Sequence, residues 1–199
     1  MNSLRLGVVV EGYGEMDAVP TLIHRIAGRI APSLRLDVPR PIRQNRSKVV
    51  KQNELERAVQ MAAHAAGTGG AVLVLLDGDG DPPCVLGPEL LARAHRARSD
   101  MPGAVVIAHQ EFETWFLFAA RSIRKKCGLP DDLEPPEDPE GIRDAKGWLA
   151  KRMPRGRTYS PTVDQKPLAS AFDLDAARAC SSFDKLWREL ERLLCTPAA

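Results

Sequence analysis

Three largely apolar runs, each leading into a stretch with helix-spaced apolar residues, restrict this chain more than any other feature. The first runs from Leu4 to Val10, the second lies within "GAVLVLLDGDGD" (residues 70–81) and the third within "GAVVIAH" (residues 103–109). Runs this continuous and this rich in valine are strands covered on both faces. Val19, Leu22, Ile23, Ile26 and Ile30 mark a helix over residues 16–30. "GPELLARAHRARSD", with Pro88 at the first helical position, and "QEFETWFLFAARSI" read as the helices after the second and third runs. A weaker strand is expected where Leu34, Leu36 and Val38 alternate, and a helix from Lys51 to Ala66 ends at Gly67. Repeated βα units of this kind build a mostly parallel sheet flanked by helices, an α/β architecture.

The pattern changes at "LPDDLEPPEDPE", which holds six acids, four prolines and no base. Such a segment continues neither a helix nor a central strand, and it reads as an exposed linker. The expected organisation is an α/β domain over residues 1–129, an acidic proline-rich linker over 130–140, and a helical C-terminal extension over 141–199. With 199 residues, 44% of them hydrophobic, the chain has enough apolar material for a proper core. A net charge of +2 excludes a global polycation, so any affinity for nucleic acid has to come from local patches. Cys84, Cys127, Cys180 and Cys195 have neither zinc-ligand nor disulfide-framework spacing. No apolar stretch reaches the roughly 18 residues that span a bilayer, and the start shows no signal-peptide pattern. A cytoplasmic protein without membrane attachment is the expectation.

In a parallel sheet the carboxyl ends of all strands open on one edge, so residues just beyond them converge however distant they are in sequence. Acids stand at three such places: Glu11 with Glu15; Asp77, Asp79 and Asp81; and Glu111 with Glu113. Converging carboxylates repel unless a cation compensates, and a hard divalent ion such as Mg²⁺ or Mn²⁺ takes oxygen ligands of this kind. Along an extended chain Asp77 and Asp79 point the same way and can address one ion or a pair. Glu111 and Glu113, on a helix, are about 200° apart, so only one is expected to face the site. Glu11, Asp77, Asp79 and Asp81 are the expected metal ligands, with capping and turn formation as the structural alternative for the aspartates. An EF-hand is excluded, because Pro82 and Pro88 stand where its loop needs glycine and a carboxylate.

Two basic segments add to this. "RPIRQNRSKVVK" places Arg40, Arg43, Arg46 and Lys48 in a run without an acid, suited to a phosphodiester backbone or to a solvated loop. Further on, "GIRDAKGWLAKRMPRGR" has six bases against one acid, and Lys166 beyond it is a candidate electrophilic stabiliser or an ordinary helix-start lysine. Glu11, Glu15, Asp77, Asp79, Glu111, Glu113 and Lys166 are the candidate catalytic residues.

"VVVEGYGE", "LVLLDGDGD" and "HQEFETWFLF", in that order at strand ends, resemble the Toprim domain of topoisomerases, primases and overcoming-lysogenization-defect (OLD) nucleases. They resemble still more closely an uncharacterised bacterial Toprim-like family, domain of unknown function 4276. In the Toprim pattern a glutamate followed by glycine ends the first strand, matched by Glu11, and an Asp-x-Asp follows a later strand, matched by Asp77 and Asp79. The nuclease branch adds a glutamate four residues after the first, matched by Glu15. The likeness to the uncharacterised family covers most of the chain, including the "HQEFETW" acids and the tail with Lys166. This sequence carries no ATPase domain, no topoisomerase domain with a nucleophilic tyrosine and no primase zinc module. The resemblance therefore implies a Toprim-like (Rossmann-like) fold and a Mg²⁺- or Mn²⁺-dependent nuclease acting on DNA or RNA, with an ATPase partner in antiphage defence. Two other readings are a non-catalytic, metal-stabilised nucleic-acid-binding or regulatory subunit, and a phosphotransfer enzyme with a nucleophilic aspartate after "LVLL".

Overall fold

A computed structural model describes residues 3–49, 51 and 53–195. Its sheet has five strands, all parallel: β1 (Ser3–Val10), β2 (Arg35–Asp37), β3 (Ile42–Arg43), β4 (Ala71–Asp77) and β5 (Gly103–Ala108). The order is β2-β1-β4-β5. β3 lies on the same edge of β1 as β2 but further along, pairing Val10 with Arg43 where β2 pairs Ser3 with Arg35. The expected α/β class and strand positions hold.

Period-two alternation divides the strand side chains between two cores. Leu6, Val8, Val10, Leu73, Leu75, Ala104 and Val106 point to one face, which is covered by α1 (Glu15–Ile30) and by the later helices. Val9, Val72, Val74, Leu76, Val105 and Ile107 point to the other. There α3 (Glu54–Ala66) and α4 (Pro83–Ala97) cover them, with the short α2 (Arg46–Val49) contributing Val49. Every residue of β4 is buried, as expected for a central parallel strand. Gly7 is the contact point of β1 with α3: a Cβ there would lie 2.1 Å from the Ala62 carbonyl oxygen.

Helix starts differ from the sequence expectation at α3, which begins at Glu54 rather than near Lys51, and in two further places. α4 begins at Pro83, so Pro88 stands inside it, because Pro83 already supplies the favoured first-turn proline just after the acidic turn. After β5 the chain does not enter a helix at Gln110. A turn carries residues 109–113, and α5 (Thr114–Phe118) is short, followed by two single 3₁₀ turns.

Residues 130–140 form neither helix nor strand, and Asp131, Asp132, Glu134, Glu137 and Asp138 are exposed, but the segment is anchored at two points. Leu133 is buried, and Glu140 accepts hydrogen bonds from the Ser181 backbone and hydroxyl. α6 (Ala145–Ala150), α7 (Pro161–Ala171), α8 (Leu174–Ala177) and α9 (Ser181–Cys195) share one core with α1 and α5. Among the described residues no helix is long and apolar enough to cross a membrane.

Candidate functional site

All five strands run the same way, so β1, β4 and β5 bring Glu11, Asp77 and the 109–113 turn to one edge. Asp77 is the last residue of β4 and points to the same face as Leu73 and Leu75. One of its carboxylate oxygens accepts the Phe112 backbone N–H at 2.7 Å, which pins the turn after β5 to the end of β4. The other lies 3.2 Å from the Lys146 ammonium.

Lys146 is the hub of the site. It enters from the first turn of α6, where the Asp144 side chain caps the helix by accepting from Gly147 N. Its Nζ stands 2.9 Å from Glu111 Oε1 and 3.5 Å from Glu113 Oε2, and its backbone N–H donates to Glu111 Oε2 at 3.0 Å. Glu113 is fully buried. Its Oε1 accepts from the Tyr159 hydroxyl at 2.9 Å and from Gln165 Nε2 at 3.1 Å, while among the described residues its Oε2 has no hydrogen-bond partner. Glu15 turns back from the start of α1 to accept the Glu11 backbone N–H at 3.0 Å. A Cβ on Gly12 would lie 3.1 Å from the Glu15 carboxylate, so the small residue keeps this turn open.

Among the described residues five carboxylates thus gather at this edge, and three of them, Asp77, Glu111 and Glu113, contact the Lys146 ammonium. Burial first, then Asp77 and Asp79, pushes Glu11 up to about 7. Glu113 is likewise pushed up to about 7 by burial, against the attraction of Lys146. Burial also raises Glu15 and Asp77. Burial works to lower Lys146, but Glu113, Asp77 and Glu111 outweigh it and hold the ammonium charged. Burial and the neighbouring Glu113 raise the Tyr159 phenol, which keeps it a neutral donor. The excess negative charge has two outlets: protons on Glu11 and Glu113, or a further cation.

Several expected site residues are placed differently. The strand ends at Asp77, and Asp79 adopts φ +47°, so the two do not share the extended alternation predicted for them. Arg46, expected to hold phosphate, is buried with its guanidinium donating to the Asp77 carbonyl oxygen and the Asp81 carboxylate. It also stands 3.8 Å from Asp79. Asp81 is therefore engaged by Arg46 rather than turned toward the other acids. Because helix α5 begins only at Thr114, Glu111 and Glu113 are not on a helix and both reach Lys146. Arg40 and Lys48 are exposed, and Arg43 stacks on Tyr13 with its guanidinium carbon 4.1 Å from the ring centroid. Lys166 lies on the exposed side of α7, while its neighbour Gln165 faces the site. Among the described residues no three His, Cys, Asp or Glu side chains are grouped so as to hold a metal ion.

A family model described as a domain of unknown function (DUF4276) matches residues 10–191. The chain belongs to this family. No curated protein and no solved structure matches it. The DUF4276 span takes in every acid of the site from Glu11 to Glu113, and also the three residues that sequence reasoning missed: Lys146, Tyr159 and Gln165. Lys146 is one of six bases in its segment, and neither spacing nor composition separates it from the rest. Tyr159 and Gln165 reach Glu113 only through the packing of the C-terminal part against α1 and α5.

Proposed function

We propose that this DUF4276 protein is a cytoplasmic, Mg²⁺- or Mn²⁺-dependent phosphodiesterase of Toprim type that cuts DNA or RNA. The observation that carries the reading is the meeting of Asp77, Glu111 and Glu113 around a position already taken by a cation, the Lys146 ammonium, with Glu11 from the adjacent strand end close enough to Asp77 for their charges to interact.

The donor set suits a hard divalent ion. It is all carboxylate, and among the described residues Glu11 Oε2 and Glu113 Oε2 are buried without a hydrogen-bond partner. As placed, no three of these acids are grouped to hold an ion, so Glu11 and Asp77, whose charges interact, are the pair that would have to take one. A bound divalent ion supplies an acidified water and neutralises charge on a phosphate. The chain's own residues do the rest. Glu113, pushed up to about 7 and left outside the pair that would take the ion, is matched to taking a proton from a water near neutral pH. Tyr159 and Gln165 fix the Glu113 carboxylate in place. Lys146, permanently charged, offsets negative charge gathered beside Asp77. Arg43, in register with Val10 on the neighbouring strand, and the exposed Arg40 and Lys48 line the approach with positive charge for a phosphodiester backbone.

The test is incubation of supercoiled plasmid and single-stranded RNA with Mg²⁺ or Mn²⁺, repeated with Asp77→Ala and Glu11→Ala. Cleavage that is lost in both variants supports the nuclease; cleavage that persists unchanged in them removes this site from the reaction. Lys146 also favours a second reading, because an ammonium that already balances part of the cluster suits a non-catalytic nucleic-acid-binding or regulatory subunit. Metal binding without cleavage supports that alternative. The Toprim resemblance adds an ATPase partner in antiphage defence, tested by whether cleavage becomes ATP-dependent when a co-purifying ATPase is added.

A further inference from the structure

Tyr13 takes no part in the carboxylate cluster, although it stands two residues beyond Glu11, a separation the chain spans in about 7 Å at most. Its side chain is 64% exposed, an unusual position for an aromatic ring beside a buried strand end. The ring is nevertheless held, because the Arg43 guanidinium stacks 4.1 Å from its centroid. Tyr13 also walls a hollow whose other sides include Pro20, Val38 and Pro41, with Asp17 and Arg40 at polar positions. Arg43 does not line that hollow, so the stack leaves ring surface available to an occupant. Among the described residues neither the Arg40 guanidinium nor the Asp17 carboxylate has a hydrogen-bond or ion-pair partner.

We propose that this hollow is a subsite for an unpaired nucleobase, stacked on Tyr13 next to a phosphate held at the carboxylate edge. The proposal rests on the phosphodiesterase reading and narrows it to single-stranded substrates. Each part of the site matches one part of a nucleotide. The rigid aromatic face and the prolines offer apolar surface to a planar base, Asp17 accepts from its exocyclic N–H groups, and Arg40 and Arg43 face the flanking phosphates. A base inside a duplex has its faces covered by its neighbours and cannot use Tyr13 without being turned out of the stack. The site therefore discriminates by strandedness and, since every base has a π-face, only weakly by sequence.

The experiment is fluorescence anisotropy in EDTA, so that no strand is cut, with fluorescein-labelled 12-mers of single-stranded DNA, single-stranded RNA and the corresponding DNA duplex. The wild type is expected to bind at least one single strand more tightly than the duplex, and the stronger of the DNA and RNA arms identifies the sugar it prefers. Tyr13→Ala is expected to weaken single-strand binding roughly five- to hundredfold, to leave duplex binding unchanged, and to be rescued by Tyr13→Phe. Because the side chain is exposed, the melting temperature of Tyr13→Ala should match that of the wild type. Equal affinity of Tyr13→Ala and wild type for single strands overturns the subsite. So does an equal loss on single strands and duplex, and so does a wild type that binds none of the three probes. A wild type that binds single strands through Tyr13 but cuts nothing with Mg²⁺ or Mn²⁺ overturns the nuclease reading and leaves the subsite standing. Cleavage with no dependence of binding on Tyr13 does the reverse.

Discussion

Lys146 stands within 3.5 Å of three carboxylates, so its removal tests how the cluster is balanced. Breaking a buried ion pair by deleting one partner costs about 3–5 kcal/mol, but the Lys146 side chain is 36% exposed and water screens part of the loss. Lys146→Met is expected to destabilise the metal-free protein by about 1–3 kcal/mol at pH 8, read from the urea midpoint. The penalty should shrink at pH 5, where Glu113, pushed up to about 7, carries a proton and leaves less uncompensated charge. An unchanged midpoint at pH 8 would show that the contacts have no energetic weight. Glu11 gives a complementary pH dependence. Its folded value of about 7 lies above the ordinary 4.5, so between those limits the folded chain binds a proton that the unfolded chain has released. Its contribution to stability is complete below pH 4.5, falls as pH rises to 7 and is flat beyond. Glu11→Gln, which cannot ionise, should lose a few degrees less of melting temperature than the wild type between pH 5 and pH 8. Parallel curves for the two proteins would refute the assignment.

At the scale of elements, the close approach of α3 to β1 is set by one missing side chain. Gly7→Ala would put a methyl 2.1 Å from the Ala62 carbonyl oxygen, and backbone has no rotamer with which to yield. α3 must lift from the sheet, at a cost of about 1–3 kcal/mol or more. The same substitution at Gly28, an exposed position of α1 with open space around it, should instead stabilise by up to about 1 kcal/mol. Thermal unfolding of both variants checks the opposite signs. Strands and their common edge were legible because largely apolar, valine-rich runs have few other fates and parallel topology fixes where their ends meet. What lay past the strand ends was harder to read. Asp79 leaves the extended alternation by turning to positive φ, and Glu111 and Glu113 escape the helical rule because α5 starts late. Arg46 reads from the sequence as a phosphate holder, but it is taken up by the DGDGD turn, donating to the Asp77 carbonyl oxygen and the Asp81 carboxylate. Lys146 left no mark at all, since its partner Asp77 is 69 residues away and only the docking of α6 joins them.

Across the whole molecule, the part beyond residue 140 behaves as structure rather than as an appendage. Phe112, Trp115, Phe183, Phe172 and Phe116 form a closed circuit of ring contacts, with successive centroids 4.8–5.6 Å apart. Tilted and edge-on pairs of this kind add about 0.5–1.5 kcal/mol each beyond the area they bury. Three of these rings belong to the turn and helix after β5, and two to the C-terminal helical part. Arg25 of α1 ties the same region down by donating to the Ala169 and Phe172 carbonyl oxygens. A chain ending at residue 140 would keep the whole sheet but uncover Phe112, Trp115 and Phe116, and it would leave Glu113 without Tyr159, Gln165 and Lys146. Such a fragment is expected to bind a hydrophobic dye and to melt without a cooperative transition, whereas Lys146→Met in the full chain should still melt cooperatively. A fragment that unfolds cooperatively near the melting temperature of the full chain would mean that the α/β part folds alone and that the C-terminal part is a lid on a finished domain. The two outcomes differ in what they imply for the site. If sheet and tail fold together, the carboxylates can gather only when the chain that carries their counter-charge is already in place.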